Sequence, residues 1–283
     1  MSDGGEGGKA RGREGGTRRA AAVAVASRGV GNPGSLQPSR PRASAPPRLR
    51  AVPLAESAIL IELSETSAVD RALVEDVSAL AMAVERAAIP GVIDIVPAYT
   101  TILVSFDPRQ TDPATVMAQV EQAAATGTGE RATPREVTIP VVYGGEYGPD
   151  LDDVVAHTGL SIDEVIARHT GADYLVACIG FSPGFPYLLG LPPELATPRL
   201  PNPRTRVPAG SVGIGGEQTG VYPQATPGGW RLLGRTPLRL FDPHGEDPFL
   251  LRAGDHLHFT AISATQFTDL AVDQSRGNET RRG

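Results

Sequence analysis

Between Gly180 and Asp242, six polar side chains, Arg204, Arg206, Ser211, Gln218, Thr219 and Tyr222, are interleaved with glycine and proline. Arg204 and Arg206 straddle Thr205, so on an extended segment both guanidinium forks point the same way, a geometry suited to a carboxylate or phosphate. Pairing with acidic surface groups is the competing account of the two arginines. Gln218 and Tyr222 add neutral donors and acceptors of the kind that fix an amide, and Ser211 and Thr219 add hydroxyls. Phe181, Phe185, Tyr187 and the single Trp230 can floor such a pocket with apolar surface, although part of this set can equally serve as core. Glycine and proline hold unusual backbone paths, and loops built from them carry binding residues. The stretch therefore reads as a shaped wall for a small molecule or a peptide, carried on a β scaffold.

The remaining reactive residues narrow the chemistry. His169 ends a predicted helix that feeds this stretch, which places it to line the pocket. His256 and His258 lie two apart on a predicted strand with Asp255 beside them. No third distant ligand accompanies them, so an exposed strand face is expected and no metal site. His157, before Thr158-Gly159, complements a helix dipole, and His244 lies in a polar loop. Cys178 is the only cysteine, which excludes an internal disulfide and a multi-cysteine zinc site. Its place in the apolar run from Tyr174 to Phe181 reads as core. Lys9 is the only lysine, so the folded part has no phosphate-loop lysine, no Schiff-base lysine and no attachment point for biotin or lipoate. The glycines at 210, 213, 215 and 216 miss the dinucleotide fingerprint, since Gln218 occupies its final glycine position and no helix follows. Backbone N–H groups there could hold a phosphate, or the glycines could make tight hairpins.

The charges are segregated. Residues 1–50 carry ten Lys and Arg against three acids, and the remainder carries 16 against 29. An acidic body argues against nucleic acid as the natural partner. Residues 1–48 are rich in Gly, Arg, Ser and Pro with almost no large apolar content, so they are expected to stay disordered. Arg18-Arg19 before AAAVAVA has the outline of an export signal, but the run is short and Ala-rich; no segment is long enough to span a bilayer, and the expected compartment is the cytoplasm.

The pattern from residue 49 predicts two domains. Over 49–133 the order is ββαββα: strands at 50–54 and 58–63, then a helix capped by Ser67. Strands at 92–97 and 101–106 follow, then a helix opened by Asp112-Pro113. This is a small α+β domain. Over 134–272, a strand at 135–143, two short helices at 151–157 and 162–170, and a strand at 174–179 lead into short β runs. Those runs lie at 212–214, 230–234, 238–240, 249–251 and 256–260, a spacing that suggests a mainly β barrel. Residues 273–283 are expected to be a disordered tail.

GFSPGFPYL, PRTRVPAGSVGIGGEQTGVYP and PGGWRLLGRTP, with the upstream YGGEYGPDLDDVVAHTGLS, resemble the signature blocks of the family formed by the B subunits of 5-oxoprolinase. That family includes allophanate hydrolase subunit 1 and the sporulation-kinase inhibitor KipI, and its domains are of the carboxyltransferase subdomain C and D type. The likeness runs from about Arg50 to Phe259. It implies an α+β N-terminal domain followed by a cyclophilin-like barrel, working in a complex with the A and C subunits of the same enzyme. Such a complex opens the lactam 5-oxo-L-proline to L-glutamate with ATP, with Mg2+ shared among its members. Under the resemblance Arg206 and Gln218 are the leading substrate contacts, and His169 and Tyr187 are the candidates for proton handling. A KipI-like module that docks on a histidine kinase, and an accessory subunit for urea-type carboxylation, are the alternatives it leaves open.

Overall fold

The computed structural model describes residues 49–64, 69–127 and 134–280, with side chains up to residue 272. The expected disordered segment 1–48, its Arg18-Arg19 motif, the Ser67 cap and residues 128–133 between the two predicted domains lie outside the described residues. In chain order the elements begin with β1 (Arg50–Leu54), β2 (Ala58–Glu62), α1 (Arg71–Arg86), β3 (Val92–Ala98), β4 (Thr101–Phe106) and α2 (Pro113–Gly127). They continue with β5 (Glu136–Tyr143), α3 (Leu151–Thr158), α4 (Ile162–Gly171), β6 (Tyr174–Ile179), β7 (Pro186–Leu189), β8 (Arg204–Val207) and β9 (Ser211–Gly215). The last are β10 (Gln218–Val221), β11 (Thr226–Gly228), β12 (Arg231–Arg235), β13 (His256–Ala261) and α5 (Ala264–Thr280).

Helix starts follow local chemistry. Asp70 caps α1 by accepting from Leu73 N–H at 2.7 Å. Asp112 accepts from Ala114 and Thr115 N–H ahead of Pro113 in α2. Ser161 and Glu164 close a reciprocal capping box on α4. Gly159, in the left-handed region at φ 73°, ends α3. The buried face of α1 is Val74, Val77, Leu80, Ala81 and Val84, spaced by three and four residues; Val74 packs on Leu175 and Ala177 of β6, and the others pack over β2 and β4 with Val116 and Val120 of α2.

Eleven strands form one sheet in the order β1-β2-β4-β3-β6-β13-β5-β12-β9-β10-β7, and β7 pairs back onto β6. That last pairing closes seven strands, β6 to β7, into a barrel. The four-stranded N-terminal sheet joins the barrel at one point, where Ala98 pairs with Cys178. Inward residues such as Ile139, Tyr174, Leu188, Ile214, Leu233 and Phe259 fill the barrel, and a separate core lies under α1 and α2. The α+β half and the mainly β barrel expected from the pattern are both present.

The structure departs from the sequence reading at the short elements. The runs 238–240 and 249–251 are not strands; a single bridge joins Phe241 to Phe249, because Pro237, Pro243 and Pro248 remove the donors a ladder needs. Conversely β7, β8, β10 and β11, three or four residues each, arise within the Gly/Pro-rich stretch. Helix α5 continues to Thr280, where a tail was expected after Val272.

Candidate functional site

The outward face of β9, β10 and β7 carries the feature that organises the site. Along β9, Val212 and Ile214 point into the barrel, so Gly213 and Gly215 face out; along β10, Gly220 faces out between Thr219 and Val221. The Trp230 indole lies on this glycine floor. A Cβ added at Gly215 would stand 2.3 Å from Trp230 Nε1, and one at Gly220 would meet the Trp230 ring at 3.1 Å and Phe185 at 3.2 Å. The glycine-rich run therefore seats an aromatic ring. It does not fit a phosphate cradle: β9 is paired on both edges, with β10 and β12, and the Cβ space at Gly210 is filled by Thr236 O.

Around Trp230 a set of rings meets edge to face. Phe185 lies 5.4 Å from Trp230, 5.2 Å from Tyr222 and 5.0 Å from Tyr187, at interplanar angles of 60–80°. Phe185, Tyr222 and Trp230 are buried with Val207 and Leu232, so these three form the base of the shelf and not its contact surface. Phe181 is different. It is 62% exposed, its ring stands on Phe185 and Tyr222, and its backbone sits at φ 63°. A bulky residue in the left-handed region is held there by its surroundings, here the tight loop in which Gly180 N–H binds Phe185 O and Phe185 N–H binds Ser182 O.

The two arginines of β8 have unequal roles. Arg204 Nη2 binds the buried Asp150 at 2.6 Å, and Asp150 also accepts Leu232 N–H at 2.7 Å. Arg204 thus links β8 through Asp150 to β12, while its buried Nη1 has no hydrogen-bond partner among the described residues. Arg206 is exposed, with no ion pair among the described residues. The cation that reaches the shelf is Arg199, which the sequence reading did not single out. Its guanidinium stands 5.8 Å over the Trp230 ring, and its field bears on both Tyr187 and Tyr222. No spacing rule marks Arg199 in PRLPNPR, because its partner is 31 positions away across the barrel.

Gln218 faces out at the start of β10, half-buried, and its Nε2 donates to Tyr99 Oη at 2.5 Å. Tyr99 comes from the β3–β4 turn of the N-terminal half, and its ring centroid is 6.5 Å from that of Tyr187. It too was missed, since a turn tyrosine carries no signal of what it will touch.

His169, Thr219 and Ser211 lie elsewhere. His169, expected on the pocket wall, is fully buried in the barrel, because α4 presents its last turn to the strands. Tyr143 Oη lies 2.8 Å from Nδ1, Thr219 Oγ1 lies 3.0 Å from Nε2, and Thr219 donates onward to Gly213 O at 3.1 Å. Thr219 has one proton and spends it on Gly213, so His169 must donate from Nε2 and accept from Tyr143 at Nδ1. Both ring nitrogens are occupied, and burial drives the imidazole pKa down to about 3. Ser211 is buried at the start of β9.

The shelf consists of groups held in one charge state. Burial raises the phenol pKa values of Tyr99, Tyr187 and Tyr222, and raises Cys178 beneath them to about 12. His256 and His258 sit on the far side of β13, against Glu136 and Asp173. No group of three or more His, Cys, Asp or Glu among the described residues is arranged to hold a metal, and no helix of these residues is long and apolar enough to cross a membrane.

Residues 49–251 match the family of carboxyltransferase domains, subdomain C and D. The B subunit of 5-oxoprolinase from Bacillus subtilis (strain 168) is 42% identical over 225 residues, covering 76% of this chain and 93% of that protein. The protein of the same name from Escherichia coli O157:H7 is 47% identical over 170 residues, 60% of this chain and 78% of that one. The crystal structure of TTHA0988 superposes with a TM-score of 0.66 at 40% identity; it matches 74% of this chain, which spans only 40% of the TTHA0988 chain. The chain belongs to the family of 5-oxoprolinase B subunits, within the carboxyltransferase C and D domains.

Proposed function

We propose that this chain is the substrate-orienting member of an ATP-dependent 5-oxoprolinase that opens 5-oxo-L-proline to L-glutamate together with the A and C subunits. The observation that carries this reading is the set of groups the shelf brings together, with Arg199 over the Trp230 ring and Gln218 on Tyr99 beside Tyr187. Arg199 offers a cation, Gln218 an amide and Tyr187 a protonated phenol, while every phenol around it and the thiol beneath are held neutral by burial. Such a surface can bind and orient, but at neutral pH it has no group that exchanges a proton. Lactam hydrolysis adds water across the C–N bond, delivering hydroxide to the carbonyl carbon and a proton to the nitrogen, so that work falls to a partner.

In this reading Arg199 meets the substrate carboxylate, Gln218 reads the lactam amide, and the partly buried Tyr187 ring floors the site. ATP and its Mg2+ belong to the partner side, since the glycine run here is filled by an indole. Phe181, an exposed ring on a constrained loop, is the contact offered to the rest of the complex. The names of the curated relatives favour this reading over kinase docking and over urea-type carboxylation, and the lone buried thiol suits a cytoplasmic enzyme. The test is reconstitution: the chain alone should release no glutamate from 5-oxoproline and ATP, and the set completed with its A and C subunits should. A complete set that releases none overturns the proposal.

A further inference from the structure

We propose that Tyr99 is a positioning residue, which fixes the Gln218 amide so that the pair reads the N–H and C=O edge of a small cis-amide. The proposal rests on the functional reading above for the identity of that amide, and on geometry for the rest.

Tyr99 occupies the turn between β3 and β4 at φ 49°, a conformation that glycine or asparagine adopts at far lower cost than a ring-bearing residue. Three contacts hold it there. Its N–H binds Ala177 O at 3.4 Å, its ring packs beside Tyr187 and against the Leu175, Ala177 and Leu189 patch of the outer barrel face, and its hydroxyl takes the Gln218 N–H. A tyrosine kept in a strained turn with its hydroxyl aimed at one side chain marks that side chain as the reason for the strain.

The consequence for Gln218 is directional. With one of its two Nε2 protons held by the phenol, the amide plane is fixed and Oε1 is left to accept. The phenol oxygen, having accepted from Gln218, retains its own proton, which burial keeps in place. An acceptor and a donor thus stand side by side at the junction of the two halves of the protein. A ring lactam presents its N–H and C=O on the same edge, because its amide is cis, and this edge matches the pair. An open-chain trans amide presents the two groups on opposite edges and does not.

The experiment uses the reconstituted complex. Tyr99→Phe keeps the ring and the turn but removes the oxygen. It should raise KM for 5-oxoproline about three- to tenfold, the range of one neutral hydrogen bond, with kcat within about twofold and an unchanged thermal midpoint. Gln218→Ala should raise KM at least as much, and the double variant should be no worse than Gln218→Ala alone. Unchanged KM in Tyr99→Phe, or penalties that add in the double variant, would overturn the proposal. A second readout is independent of turnover: in 15N spectra of the full chain, Tyr99→Phe should move the Gln218 side-chain NH2 signals to freely rotating positions. Signals that stay in place overturn the positioning role even if the complex opens 5-oxoproline. Signals that move in a complex that does not open it uphold the role and reject the functional reading alone.

Discussion

Placing one methyl group at residue 215 tests whether the glycine run exists to seat the indole. In Gly215→Ala the new Cβ would lie 2.3 Å from Trp230 Nε1 and 2.5 Å from Cδ1 and Cε2, about an ångström inside contact distance. The ring must slide or leave. Sliding displaces Phe185 and Tyr222, against which its edges pack, and overpacking of that kind costs about 1–3 kcal/mol. Full expulsion forfeits roughly 200 Å² of buried aromatic surface, about 5 kcal/mol at ~25 cal/mol/Å². A fold stable by about 5–15 kcal/mol survives the first and barely survives the second. The assay is direct because Trp230 is the only tryptophan. Its emission should shift to the red and quench more readily, and the urea midpoint should fall. Gly216→Ala is the control. Its Cβ meets nothing within 4 Å, but its φ of 73° imposes about 1–2 kcal/mol of left-handed strain. That variant should lose a little stability and keep the wild-type emission. Wild-type emission and midpoint in Gly215→Ala would refute the seating argument.

The buried imidazole gives a pH prediction. The folded pKa of His169 lies near 3 and its ordinary value is 6.5, so below pH 6.5 the unfolded chain takes up a proton that the folded chain refuses. Its stability contribution is intact above 6.5 and falls by about 1.4 kcal/mol per unit below it, about 2 kcal/mol by pH 5. Urea titrations at pH 7.5 and 5 should show that loss, and His169→Gln should shed that part of it. Asp150→Ala strands the Arg204 guanidinium and the Leu232 N–H, and should cost about 2–3 kcal/mol by thermal unfolding. In the reconstituted complex Arg199→Ala should raise KM for 5-oxoproline about 10–100-fold, the range of a charge-assisted contact, with Arg206→Ala within about threefold. Phe181→Ala should leave the unfolding midpoint in place while weakening co-purification with the A and C subunits; undiminished assembly would remove Phe181 from the interface.

Long periodic elements were legible in the sequence, and the site was legible only in part. Helix α1 announces itself by its three- and four-residue spacing and α4 by its capping box, and both are where those signals put them. Strands β7 and β10 were hidden because pairing within the barrel imposes them on Gly/Pro-rich segments of low intrinsic β preference, and β8 because it exists only through its pairing with the three-residue β11. The aromatic stretch was identifiable by composition, yet composition could not separate the buried Phe185, Tyr222 and Trp230 from the exposed Phe181. Arg204 and Arg206 looked equivalent at a spacing of two, and Asp150, 54 positions upstream, breaks the equivalence. Tyr99 and Arg199 act through partners 119 and 31 positions away, which no local pattern encodes.

The barrel is closed by strands from its two ends in sequence. β13 lies parallel to β5, with His256 opposite Glu136 and Ala261 opposite Val141, and its other edge pairs with β6. During synthesis the growing chain carries β5 and β6 well before the strand between them exists. Until residue 261 clears the ribosome, both bear an open edge, the form of β structure most prone to pair with a neighbouring chain. Nascent chains truncated just short of β13 should therefore aggregate or engage chaperones, and chains extended just past it should become protease-resistant within a few residues of added length.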